Sequence, residues 1–71
     1  MNAGDVVGEG NAHYNISTAF EASGDMKGAI EHMQQAHTCY VRCFGAEHSE
    51  AVAVDAQEQV ERLKATFRAI A

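Results

Sequence analysis

Asn15-Ile16-Ser17-Thr18-Ala19-Phe20-Glu21-Ala22-Ser23-Gly24-Asp25-Met26-Lys27-Gly28-Ala29-Ile30-Glu31-His32-Met33-Gln34-Gln35-Ala36 decides how this chain folds. Apolar and small residues recur at helical spacing on both sides of Gly24-Asp25. Glycine ends helices because it adopts the left-handed conformation without strain, and aspartate caps the first turn of the next helix. The stretch therefore predicts two helices folded back on each other across a tight corner, with small residues where they touch, Ala29 and Ala36 among them.

Working upstream, helix A is expected to begin near Gly10-Asn11, with Asn11 as its N-cap. Ala12, Ile16, Ala19, Phe20 and Ser23 fall on one face of it. Met1 to Gly10 holds Gly4, Gly8 and Gly10 and little that can pack apart from Val6 and Val7, so residues 1–10 read as a flexible lead-in. Downstream, helix B is predicted from Met26 to Phe44, with an inward face of Ala29, Met33, Ala36, Tyr40 and Phe44 flanked by Ile30, His37 and Val41. Gly28 in its first turn weakens the helix by roughly 1 kcal/mol relative to alanine and calls for a packing reason. Gly45-Ala46-Glu47 is a second corner, and helix C runs from about His48-Ser49 to Ile70. Its Ala56, Val60, Leu63, Phe67 and Ile70 make a narrow apolar seam. Glu58 and Arg62 are spaced as an i,i+4 pair outside that seam. The expectation is all-α: one domain over 11–71, with three antiparallel helices at about 11–23, 26–44 and 48–70.

The totals agree with that class. The chain has 71 residues, no proline and five aromatic residues, enough for one small domain with a modest core. Five Lys/Arg against ten Asp/Glu give a net charge of −5 and leave no basic stripe, which argues against nucleic acid or an anionic membrane as partner. There is no apolar run near the length of a membrane span and no secretory leader pattern, so a cytoplasmic chain is expected. Cys39 and Cys43 lie four apart on helix B, a spacing poorly suited to a disulfide, and read as free thiols. Asn15-Ile16-Ser17 matches a glycosylation sequon, which is read as coincidence in such a chain.

The central stretch resembles the tetratricopeptide repeat, a helix-turn-helix unit found in protein-binding arrays. The repeat has a small residue in its first helix and an aromatic three residues on, here Ser17 and Phe20. A Gly-Asp corner follows, here Gly24-Asp25. The second helix carries an alanine, a large apolar residue and another alanine, here Ala29, Met33 and Ala36. Ile16 stands at a leucine position and His13 at a bulky one. The long-repeat variety of kinesin light chains and clustered-mitochondria proteins is similar over more residues. Its Asn-Leu-Gly resembles Asn15-Ile16-Ser17, its early helix-B histidine His32, and its Gly-x-(Glu/Asp)-His-Pro the run Gly45-Ala46-Glu47-His48, with Ser49 in place of proline. The likeness spans about Asn11 to Val52 and then fades. It implies one C-terminal repeat followed by a capping helix C.

The resemblance implies a protein-interaction scaffold or adaptor rather than an enzyme, with no cofactor. The concave face of such repeats is lined by the first helix, here Asn11, Tyr14, Asn15, Thr18, Glu21 and Ala22. Asn15 stands where the family uses an asparagine to hold a bound peptide's backbone, since an amide both donates and accepts. The basic clamp that some relatives use for a terminal carboxylate is not matched, because Asn11 stands at its lysine. A lone repeat buries its face mainly on neighbours, so self-association is the alternative function, through Val60, Leu63, Phe67 and Ile70. Homo-oligomers are expected on either reading.

Chemistry finds little support in the sequence. There is no nucleophile elbow, phosphate loop or His-Glu-x-x-His pattern. The glycines of Gly4-Asp5-Val6-Val7-Gly8-Glu9-Gly10 lack the lysine of a phosphate cradle. Cys39 and Cys43 with His37 or His48 are the best candidate metal set, but the spacing is not a zinc knuckle, and helix packing is the expected role. No metal is expected. His32 and His37 read as packing or surface residues, and His48 as a cap of helix C.

Overall fold

A computed structural model describes residues 3–44 and 51–70, and it is all-α: α1 (Ala3–Ala22), α2 (Met26–Phe44) and α3 (Ala51–Ile70). Among these residues there is no strand, and no helix is long and apolar enough to cross a membrane. The expected second corner at Gly45-Ala46-Glu47, the start of helix C at His48-Ser49 and the capping role of His48 lie outside the described residues.

The Gly24-Asp25 corner forms as its residues dictate. Gly24 adopts φ of +89°, the left-handed conformation glycine tolerates best. The Asp25 amide donates to the Phe20 carbonyl at 2.8 Å and the Gly24 amide to the Glu21 carbonyl at 3.0 Å. Those two bonds are a Schellman closure, and they satisfy carbonyls that the end of α1 leaves without helical partners. Asp25 then caps α2: its Oδ1 accepts the Gly28 amide at 3.0 Å. Gly28 has its packing reason in side chains rather than in a second backbone. A Cβ there would lie 2.9 Å from Asp25 Oδ2 and 3.1 Å from the Phe20 ring.

α2 is the central helix, with α1 and α3 both packed on it. Its buried face is Met26, Ala29, Met33, Ala36, Cys39 and Tyr40, with Ile30, His37 and Val41 half-buried. α3 contributes Ala53, Ala56, Val60 and Leu63 to the same core. Ala29, Ala36 and Ala56 are wholly buried, and small side chains at these positions let the helices approach closely.

α1 departs from expectation in two ways. It begins at Ala3, so the described part of the 1–10 lead-in is helical and Asn11 lies inside the helix instead of capping it. The reason is tertiary: Gly10 is buried against the Tyr40 ring and Cys39, and this packing outweighs the low helix propensity of three glycines. The inward face also differs. Ala12 and Ala19 are exposed and Ile16 is 41 % exposed, whereas Gly10 and Ser17 are buried and His13, Tyr14, Phe20 and Glu21 half-buried. Close approach selected small residues over apolar ones. Ser17 is 1 % exposed, and its hydroxyl donates to the Ala29 carbonyl across the helix contact at 2.6 Å. The same bond takes the sequon's hydroxyl away from the surface.

The α3 seam is inward only over its first part. Val60 and Leu63 face α2 inside the chain's own core, while Phe67 and Ile70 are 40 % and 68 % exposed. Of the four residues assigned to self-association, only Phe67 and Ile70 remain open to another molecule in this fold.

Candidate interaction groove

α1 and α3 lie side by side on α2, and two polar bridges join them. Tyr14 Oη donates to Asp55 Oδ2 at 2.8 Å. Arg62 grips Glu21 with both terminal nitrogens, Nη1 to Oε2 at 2.7 Å and Nη2 to Oε1 at 2.9 Å. Each pair is 41 residues apart, and the second lies about two helical turns beyond the first, so α1 and α3 run parallel in a constant register. Arg62 Nε also donates to Gln59 Oε1 at 2.8 Å. The guanidinium thus goes to Glu21 and Gln59 and not to Glu58, because the fork geometry matches a carboxylate across the groove.

Between α1 and α3, at the end away from the Gly24 corner, lies an open groove of about 390 Å³. Asn11, Tyr14 and Asn15 line it from α1, Tyr40 from the α2 floor, and Val52 and Asp55 from α3. The floor is fixed by a hydrogen bond from Tyr40 Oη to Asn11 Oδ1 at 2.6 Å. That bond uses the Asn11 carbonyl and leaves its amide donors outside it. Asn15 is exposed, and no side-chain hydrogen bond engages it among the described residues. Asp55 is the one charged residue in the lining.

The electrostatics follow from these contacts. The hydrogen bond to Asp55, with burial and the carboxylate's charge, raises the Tyr14 phenol above its ordinary pKa. Burial raises Tyr40. The Arg62 hydrogen bond holds Glu21 below the usual carboxylate value, and Arg62 is raised in return. Both partners of that pair keep substantial exposure, so it is worth at most about 1 kcal/mol.

Five of the six α1 residues expected on the concave face, all but Ala22, are the candidates for partner binding, and they divide accordingly. Asn11, Tyr14 and Asn15 come together in the groove. Glu21 is committed to Arg62, and the Thr18 hydroxyl donates to the Tyr14 carbonyl at 3.1 Å within α1. Sequence reasoning missed three lining residues: Tyr40, expected in the core, Val52, expected only as the end of the repeat likeness, and Asp55, which precedes the α3 seam and drew no expectation of a role. The available signal was the equal spacing of Tyr14 to Glu21 and Asp55 to Arg62. Cys39 is buried and Cys43 half-buried, and no group of three or more potential metal ligands occurs among the described residues. His37 stands apart, in a shallow depression on the α2–α3 side with Gln34, Thr38 and Gln57.

No family model, curated protein or solved structure matches this chain. Its functional reading therefore rests on the groove and on the resemblance described above.

Proposed function

We propose that the chain is a non-enzymatic protein-interaction module of tetratricopeptide-like design that takes an extended segment of a partner in the α1–α3 groove. The observation that carries this is the convergence of Asn11, Asn15, Tyr40, Val52 and Asp55 on one open groove. Two amides serve the main chain of a bound segment, Val52 offers an apolar contact, and the Asp55 carboxylate favours a basic side chain. The overall charge of −5 favours the same choice of partner and speeds its encounter.

Peptides selected from a random library on the intact chain, then mapped by NMR, test this. The expected ligands are basic segments that shift Asn11, Asn15, Val52 and Asp55. Asn15→Ala should weaken them by about 2–10-fold, the worth of one hydrogen bond, with helix content unchanged. Unchanged affinity would remove Asn15 from the site, and ligands mapping to other faces would remove the groove.

Self-association remains a second reading, favoured by the exposure of Phe67 and Ile70 beyond the Arg62 bridge. On that reading light scattering gives a dimer mass at high concentration, and Phe67→Ser with Ile70→Ser returns it to the monomer mass with the helices intact. A monomer throughout the concentration range would eliminate it.

A further inference from the structure

His13 on α1 and His32 on α2 meet across the helix contact. Their Nδ1 atoms are 3.0 Å apart, with ring centroids at 5.2 Å and an interplanar angle of 28°. Phe20 also stacks on His32, with centroids 5.3 Å apart and an interplanar angle of 20°. Between two neutral rings this contact is an N–H···N hydrogen bond, with one Nδ1–H and one Nδ1 lone pair facing each other. A metal that binds imidazole nitrogen at about 2.0 Å places two such ligands about 2.8 Å apart in cis square-planar geometry and about 3.3 Å apart in a tetrahedron. The spacing in this pair lies between those values.

We propose that His13 and His32 form a two-histidine site for a late first-row divalent cation, with Cu²⁺ bound most tightly and Ni²⁺ and Zn²⁺ more weakly. The order follows the general affinity of nitrogen ligands for these ions. Water completes the coordination, since both rings are only half-buried. Within one turn along either helix the charged neighbours are Glu9 and Glu31, both acidic, and neither a lysine nor an arginine lies in that range. The proton count closes. The donor ring loses its Nδ1 proton and gains one at Nε2, remaining neutral, so the pair releases no net proton. Two metal–nitrogen bonds form as two metal–water bonds break. The helices are already fixed at this level by the Ser17–Ala29 bond, so binding breaks the His13–His32 hydrogen bond and turns the two rings without moving the backbones. The bound cation would cross-link α1 to α2 and stabilise the repeat.

The test uses the intact chain. Zn²⁺ is titrated into ¹⁵N-labelled protein while the imidazole nitrogens are followed by NMR, and Cu²⁺ binding is read by electron paramagnetic resonance. The expected results are a one-to-one complex, selective shifts of the His13 and His32 Nδ1 signals, and a spectrum with coupling to two nitrogens. His13→Gln and His32→Gln should each weaken binding at least tenfold, whereas His37→Gln should leave it unchanged. Shifts at His37 or the cysteines in place of the pair, or no saturable complex, would overturn the proposal. The NMR readout on the unaltered chain decides the matter even if a variant fails to fold.

Discussion

Leu63→Ala is expected to cost about 2–5 kcal/mol, the loss seen when a buried leucine is truncated and its cavity cannot fully collapse. Leu63 is fully buried, within a core cluster that includes Met26, Ala29, Met33 and Val60. A chain of 71 residues has roughly 4–10 kcal/mol of total stability, so this one change removes much or all of it. Urea unfolding followed by circular dichroism measures the effect. The expected result is a midpoint far below that of the unaltered chain, or loss of the cooperative transition. The same variant separates two uses of the α3 seam. If Leu63 faced outward and joined a second copy, truncation would lower the solution mass and leave a monomer with the original helix content. That outcome would contradict the packing of α3 on α2. Ile70→Ala is the companion control: Ile70 is 68 % exposed, and its loss should move the midpoint little.

The parts of this fold that were legible in the sequence depend on local rules. The Gly24-Asp25 corner is written in two adjacent residues whose conformational and capping preferences act within one turn. The inward face of α2 is legible because Ala29, Met33, Ala36 and Tyr40 keep a helical period and no competing face is apolar. α1 was harder because the apolar pattern points the wrong way. Its contact with α2 is made by Gly10, His13, Ser17 and Phe20, of which only Phe20 lies on the apolar period, while Ile16 is left exposed. Hydrophobic period reports transfer from water, not how closely two backbones must approach, and it failed for that reason. The groove was half legible. The family likeness pointed to Asn11, Tyr14 and Asn15, whereas Asp55 and Arg62 find partners 41 residues away, which no local pattern specifies.

Gly10→Val tests the part of α1 that sequence reasoning placed outside the domain. A Cβ at this position would lie 2.8 Å from Cε1 and 3.0 Å from Cδ1 of Tyr40, and 3.2 Å from the Cys39 Cβ. Tyr40 is buried and its hydroxyl is held by Asn11 at 2.6 Å, so the ring cannot swing aside without breaking that bond. Overpacking of this kind costs about 1–3 kcal/mol. In a domain of this size each kcal/mol lowers the melting midpoint by roughly 4–8 °C. Gly8→Ala supplies the opposite sign from the same helix. Nothing lies within 4 Å of a Cβ built there, so the substitution should stabilise α1 by about 1 kcal/mol through propensity alone. Thermal melts of the two variants beside the unaltered chain should therefore bracket it, valine below and alanine above. If residues 3–10 were not helical, Gly8→Ala would leave the midpoint in place. If they were helical but undocked, both substitutions would raise it, because valine is also a better helix former than glycine. Only the docked helix, with Gly10 against Tyr40, gives opposite signs two residues apart.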